Sequence, residues 1–380
     1  VVKQQRVMII AGEASGESRA ARLVEEARHL RPELEFFGIG GPRMRAAGVE
    51  TLVDCRDMAV LGLFEILRHF RFIYGVLQHM RRLLASERPD LLVLVDYSGF
   101  NLKLAKSAKQ LGIPVFYYIS PQVWAWRRKR VYTIREYVDL MAVVFPFEES
   151  FYREYGVPVR YVGHPLVDEV GSDLTRDEAA RSFGLDPDRP IIGLFPGSRR
   201  SELQRLLPLL LEAATLLQSH MGEAQFLLPQ SSSLDRHEID VHLQNSSVNV
   251  TTVEECFYDV TRACDAIATA SGTATLEVAL MGVPLTVVYK VSPLSFAIMR
   301  RLIKLPHIAM CNIVAGREVA RELLQDEATP RALAAELEEL LRPQNHARSV
   351  AALKEVREKL GEPGGAGRAA ELLEGMLPSR

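Results

Sequence analysis

RVMIIAGEASGE at residues 6–17 and PIIGLFPGSRRSE at residues 190–202 are built alike: a short apolar run, a glycine turn, and the opening of a helix. An apolar run without alternation reads as a strand buried on both faces, the kind found in parallel sheets whose crossovers are helices. Laying Val7 on Ile191 brings the two stretches into register, so each half of the chain opens in the same way. Working outward, strands are expected at Arg6–Ala11, Leu34–Ile39, Leu91–Val95, Val115–Ile119 and Leu140–Phe145. In the second half they are expected at Ile191–Phe195, Gln225–Leu228, Val248–Val253, Ala266–Thr269 and Leu285–Tyr289. Long amphipathic stretches separate them, which is the α/β pattern of two doubly wound sheets. The expected architecture is two Rossmann-like domains facing a cleft, residues 1–165 and 166–345. A helical tail follows at 346–380, broken by GEPGGAG at 361–367.

Composition narrows the function classes. With 380 residues, 48% hydrophobic and 25% charged, the chain has the balance of a globular protein of about two domains, not of a disordered or fibrous one. Its 46 basic and 48 acidic residues leave a net charge of -2, so no global field favours nucleic acid, and any attraction to an anionic surface is local. Cys55, Cys256, Cys264 and Cys311 stand far apart, which argues against a zinc site or a disulfide framework. The longest uncharged stretch, Gln110 to Trp126, carries two prolines and falls short of a membrane span. No signal-peptide pattern precedes the first strand, and a reduced, cytoplasmic setting is expected.

Three glycine turns carry the candidate chemistry. The first, Gly12-Glu13-Ala14-Ser15-Gly16-Glu17, joins strand to helix, where backbone N–H groups line an anion or hydroxyl site or simply form a tight turn. In the second, Gly197 permits close approach of a ligand, Ser198 is placed to cap the following helix, and Arg199 adds a fork of donors beside a positive helix end. It lacks the lysine and length of a Walker loop, and a diphosphate ligand fits it better than a merely capped helix does. The third, Ser271-Gly272-Thr273, opens a helix bearing Glu277, which is placed either to accept from two ribose hydroxyls or to complement the helix dipole.

Asp96 stands at the carboxyl end of Leu91–Val95, where open parallel sheets bind ligands. It serves there as a general base or ties down the turn Tyr97–Phe100. Asp186-Pro187-Asp188 has the D-x-D form of a metal site but reads as a turn before a strand, and no metal or other cofactor is expected. His164, beside Pro165, reads as a packed loop residue. From Val60 to Leu84, large apolar residues including Leu63, Phe64, Leu67 and Phe72 are interleaved with Arg68, Arg71, Arg81 and Arg82. Such a segment either lies in a membrane interface and walls acyl chains, or packs on its own sheet.

In order, AGEASGE, GIGGPRM (38–44), LGLFEIL (61–67), VDYSGFN (95–101), ISPQVWAWRRKR (119–130), FPFE (145–148), FYREYGVPVRYVGHP (151–165), LFPGSRRSE (194–202), ASGTATLE (270–277) and NIVAGRE (312–318) resemble the lipid-A-disaccharide synthase family, glycosyltransferases of the GT-B fold. The resemblance implies an inverting transfer of 2,3-diacylglucosamine from UDP to the 6-hydroxyl of 2,3-diacylglucosamine 1-phosphate, at the inner face of the cytoplasmic membrane. It carries over Asp96, Arg199 and Asn312; together with the glycine turns this gives Asp96 and Arg199 to catalysis, and Gly197, Ser198, Ser271, Gly272, Thr273, Glu277 and Asn312 to the donor. The acceptor falls to Gly12, Glu13, Ser15, Arg43 and Gln122, with Arg43 toward its 1-phosphate, and the acyl chains and membrane to the segment of Leu63 and Phe72. A second copy of the chain is an additional expected partner. Gly99 stands where relatives often have a second aspartate, and Glu17 where they have aspartate. Against this stand another UDP-sugar transferase or epimerase of the same fold, and a non-catalytic lipid- or nucleotide-binding protein. Retention of Asp96 and Arg199 argues against the last.

Overall fold

A computed structural model of the chain describes residues 5–58, 65–292 and 305–378, with 296, 299 and 301, and of residues 14, 15 and 65–70 the backbone alone. The chain forms two compact units, Val1–Asp168 with Glu362–Arg380, and Glu169–Gly361.

The first unit holds seven strands: β1 Arg6–Ala11, β2 Glu35–Gly40, β3 Val49–Asp54, β4 Leu91–Val95, β5 Val115–Tyr118, β6 Leu140–Val143 and β7 Val159–Tyr161. They pair in the order β3-β2-β1-β4-β5-β6-β7, all parallel. The reversal lies at β1 and β4, where Ile10 pairs with Leu94 and Ala11 with Val95. Every residue of Leu91–Val95 is buried, as a strand covered on both faces requires. Helices Ala14–Leu30, Glu65–Glu87 and Ser98–Gln110 supply crossovers, and Val76, Leu77, Met80 and Leu84 sink the middle helix into the core.

The second unit repeats the plan with β8 Ile191–Phe195, β9 Gln225–Gln230, β10 Val250–Glu254, β11 Ala266–Ala270, β12 Leu285–Tyr289 and β13 Glu322–Leu324, in the order β10-β9-β8-β11-β12-β13. These strands too are parallel. Helix Arg200–Met221 covers the sheet with Leu203, Leu207, Leu210, Ala214 and Leu217.

The ten expected strands are all present, within a few residues. Three more, β3, β7 and β13, were not anticipated: two have only three residues, and β3 is half exposed and carries Glu50 and Asp54. The contacts also redraw the domain limits. The boundary falls after Asp168, and the stretch 346–380 is not one tail. Helix Pro343–Lys359 buries Ala352, Leu353 and Val356 in the second unit, whereas helix Gly365–Met376 returns to the first and packs along Ala14–Leu30. Arg31 Nε donates to Glu374 Oε1 at 2.9 Å, and Arg368 Nε to the Val162 carbonyl at 2.8 Å, fixing this return.

Among the described residues no helix is long and apolar enough to cross a membrane. Leu373 lies wholly buried on the returning helix. Leu373→Ala should therefore destabilise the first unit by about 2–5 kcal/mol, the cost of a cavity in a packed core. A lowered melting temperature checks this, and an unchanged one would place the helix outside the folded unit.

Candidate active site

In the first unit, the turn after β4 is strained on purpose. Asp96 and Tyr97 both take left-handed backbone angles, φ 47° and 43°, which non-glycine residues rarely adopt. The strain is held by buried donors: Asn101 Nδ2 donates to the carbonyl oxygens of Asp96 (2.7 Å) and Val95 (3.1 Å), and the Tyr117 hydroxyl donates to the same Asp96 carbonyl. This fixes the Asp96 carboxyl on a cavity of about 450 Å³ lined by Glu13, Ile73, Tyr74, Leu77, Tyr97 and Lys103, among others. Burial raises the Asp96 pKa, against hydrogen bonding from the Tyr97 N–H and the charge of Arg19. Glu13 is raised as well, by burial first and then by the charge of Asp96. The floor of this arrangement requires Gly12, since a Cβ there would sit 2.4 Å from the Tyr97 ring.

Glu17, buried beneath the same loop, accepts from the Met44 N–H at 2.9 Å and so caps helix Pro42–Ala46. Its longer reach than aspartate serves structure. Arg43, on that helix, donates to Ser18 Oγ, and Gln122 is exposed at the ends of the strands. The side chain of Ser15 lies outside the described residues, as do Leu63, Phe64 and the side chains of Leu67 and Arg68. Phe72 is 42% exposed and Tyr74 54%.

In the second unit a cavity of about 460 Å³ brings together Gly197, Ser198, Arg199, Ser271, Gly272, Thr273 and Glu277. Gly197 has φ +98°, and a Cβ there would stand 2.3 Å from Glu202 Oε2, so only glycine lets the loop close over its helix. The helix begins one residue later than the sequence suggests. Arg199, not Ser198, is its first cap, and Glu202 reaches back to the Arg199 N–H at 3.3 Å. The Arg199 side chain is 80% exposed and rests on Glu202 Oε1 at 3.1 Å, leaving most of its guanidinium open. The N-termini of helices Arg200–Met221 and Ala274–Met281 both open on this cavity through its two loops. Tyr258 OH donates to Glu277 Oε1 at 3.0 Å and holds that carboxylate at the edge.

One expected donor residue has other work. Asn312 is fully buried, its Nδ2 donates to the Ala320 carbonyl (2.7 Å) and Glu322 Oε1 (2.8 Å), and its Oδ1 accepts from the N–H groups of Val319 (2.8 Å) and Ala320 (2.9 Å). Four bonds exhaust a carboxamide, so none is left for a nucleoside. The turn reading of Asp186-Pro187-Asp188 fits the Asp188 N–H bond to Asp186 Oδ1 at 3.0 Å. Among the described residues no three histidine, cysteine or acidic side chains gather as metal ligands. His164 packs on Phe145, ring centroids 4.7 Å apart, and burial pushes its pKa down to about 3.

Two parallel sheets, each with glycine turns opening helices at its strand ends, define the GT-B fold class. Solved structures share it: the calicheamicin glycosyltransferase CalG4 at TM-score 0.63 and 17% identity, covering 99% of this chain and 98% of its own, and a putative UDP-N-acetylglucosamine 2-epimerase from Listeria monocytogenes at TM-score 0.62 and 15% identity, covering 98% and 95%. The sequence is more specific. The lipid-A-disaccharide synthetase family matches residues 7–373. Lipid-A-disaccharide synthases of Geobacter metallireducens and Trichlorobacter lovleyi are 54% and 52% identical, over 98% and 99% of this chain and 97% and 99% of their own length. The chain belongs to the lipid-A-disaccharide synthetase family and is a glycosyltransferase.

Glu148, within FPFE, carries no local signal of a role in the sequence. The structure makes it the anchor of the loop after β5. Fully buried, it accepts from Ser120 Oγ (2.9 Å) and Trp124 Nε1 (2.9 Å) through Oε1 and from the Phe145 N–H (3.1 Å) through Oε2, while Tyr152 OH lies 2.9 Å from Ser120 Oγ. Burial outweighs these donors and pushes its pKa up to about 7. A folded-state pKa above the unfolded 4.5 contributes stability at low pH that is lost as pH rises through about 7. Wild type should thus lose more thermal stability between pH 5 and pH 8 than Glu148→Gln, which has no proton to release there. Parallel melting curves over that range would count against this account.

Proposed function

We propose that the chain transfers 2,3-diacylglucosamine from UDP to the 6-hydroxyl of 2,3-diacylglucosamine 1-phosphate with inversion, releasing UDP and forming a β-1,6-linked disaccharide 1-phosphate. The observation that carries the reading is Asp96, a carboxyl with a raised pKa, set by two strained residues on a cavity that also has the apolar walls Ile73, Tyr74 and Leu77. A sugar hydroxyl with acyl neighbours suits such a place. Asp96 takes the proton from the acceptor hydroxyl as its oxygen attacks the anomeric carbon. The bond to the diphosphate breaks on the opposite face, and charge grows on the leaving oxygen.

The cavity of the second unit suits the donor's diphosphate. Arg199 and the helix N-termini after Gly197 and Thr273 stabilise the diphosphate, and Ser198, Ser271, Gly272 and Glu277 hold the rest of the nucleotide. Protein donors suffice for the departing charge, so no step is assigned to a metal. Glu13 stands beside Asp96 to orient acceptor hydroxyls, while Arg43 and Gln122 supply donors on the same unit and Arg43 suits the 1-phosphate. The acceptor and donor both carry acyl chains. The helix Glu65–Glu87, with Phe72 and Tyr74 exposed and Arg71, Arg81 and Arg82 along it, suits an anionic membrane surface.

Two measurements test the division of labour. Asp96→Asn should cut the transfer rate about 100-fold to 10,000-fold and leave calorimetric UDP affinity unchanged. Arg199→Ala should weaken UDP binding and slow transfer together, because it faces charge in both ground and transition states. Near-normal turnover of the first variant, or unaltered UDP affinity in the second, removes that residue from its role. For the membrane surface, replacing Leu63, Phe64, Leu67 and Phe72 by serine should lower sedimentation with anionic vesicles at low and high salt without changing UDP affinity. Equal binding by variant and wild type assigns the segment to packing instead.

A further inference from the structure

Among the described residues seven other than glycine have left-handed backbone, and four of these, Asp96, Tyr97, Ile119 and Arg127, lie in two neighbouring turns. Asp96 and Tyr97 follow β4. Ile119 (φ 64°) and Arg127 (φ 59°) stand near the two ends of the loop that runs from β5 to helix Arg130–Tyr137. Because β4 and β5 pair in parallel, these turns leave the sheet side by side. Backbone of this kind persists only where the surrounding structure over-determines it, and it gathers where geometry matters to function.

The loop after β5 is bonded to the Asp96 turn at both ends. At its start the Tyr118 carbonyl accepts from the Asp96 N–H at 3.4 Å, and at its close Arg130 donates through Nη1 to Ser98 Oγ at 3.2 Å. Ser98 lines the cavity of Asp96. Between those ends the loop is held from helix Pro146–Glu154, which follows β6. Glu148 takes Ser120 and Trp124 onto one oxygen, Tyr152 OH donates to the Pro121 carbonyl at 3.3 Å, and the Trp124 ring meets Phe147 edge-on at 4.8 Å. Burying a carboxyl costs free energy that an apolar side chain of its size would not. What the carboxyl supplies is direction, since several hydrogen bonds converging on it select one arrangement of the loop.

We propose that Glu148 is a positioning residue for the transfer: by fixing Ser120 and Trp124 it holds the loop after β5 in its strained form, and the loop, bonded to the neighbouring turn at Asp96 and Ser98, keeps the Asp96 carboxyl aimed at the acceptor. Glu148 itself touches no substrate. The inference rests on the reading of Asp96 as the general base and adds the support that aims it. Misplacing a reacting group by about 1 Å costs on the order of 100-fold in rate, so a network that begins two strands away bears on turnover.

Steady-state kinetics of the full chain, below the melting temperature of each variant, tests it alongside UDP calorimetry. Glu148→Ala should lower kcat roughly 10-fold to 100-fold and leave the acceptor KM and UDP affinity unchanged. Glu148→Gln, whose amide oxygen still accepts from Ser120 and Trp124, should recover most of that rate. Trp124→Phe removes one donor but keeps a ring; it should lose kcat in the same manner and decides the matter if the alanine variant does not fold. In an Asp96→Asn background Glu148→Ala should slow the residual transfer little further, because an absent base cannot be misaimed. Full turnover in the folded alanine and phenylalanine variants would make Glu148 a stabilising residue only and overturn the proposal. An undiminished loss in the Asp96→Asn background, or UDP affinity falling in step with kcat, would do the same. Near-normal turnover of Asp96→Asn alone would instead remove the base itself, whereas a slow Asp96→Asn beside a full-speed Glu148→Ala leaves the base standing without this support.

Discussion

A parallel sheet delivers every strand-to-helix turn to one edge, and both units of this chain are built on that constraint. In the first, it sets the Gly12 turn and the Asp96 turn side by side, because β1 and β4 are neighbours and leave the sheet in the same direction. In the second it does the same for the loops after β8 and β11. Helix N-termini follow those loops, so partial positive charge accumulates where a diphosphate would lie without any side chain being spent on it.

The two units use opposite electrostatic strategies. Around Asp96 the fold removes water: the carboxyl is partly desolvated, its backbone is clamped by Asn101 and Tyr117, and its affinity for a proton rises. Around Arg199 the fold keeps the guanidinium in the open, restrained only by Glu202. In the proposed reaction a general base gains from reluctance to stay charged, whereas a cation proposed to meet a diphosphate gains from being exposed. Glu148 belongs to the first strategy but acts at a remove, holding the loop of Ser120 and Trp124 through a buried carboxyl.

Much of this was legible in the sequence because it is written in local patterns. Uninterrupted apolar runs such as Leu91–Val95 announce central parallel strands, and a carboxylate or glycine just past such a run announces the working edge. The short outer strands left no such trace, since three residues at a sheet edge have no periodicity to read. Asn312 was misplaced for a different reason: a carboxamide looks the same whether it faces a ligand or, as here, spends all its bonds on Val319, Ala320 and Glu322. Glu148 escaped notice because its meaning comes from partners far along the chain, Ser120 and Trp124. The tail misled in turn, since helical character says nothing about which unit a helix will cover.

The return of helix Gly365–Met376 to the first unit has a consequence for biosynthesis. Helix Ala14–Leu30, which carries the Glu13 loop at its start, emerges from the ribosome early, while the helix that covers it follows the whole of the second unit. At about 5–20 residues per second, that apolar flank waits for some tens of seconds. For that interval the flank of Ala14–Leu30 that the returning helix covers lacks its partner, and the first unit is completed only after the second has been made.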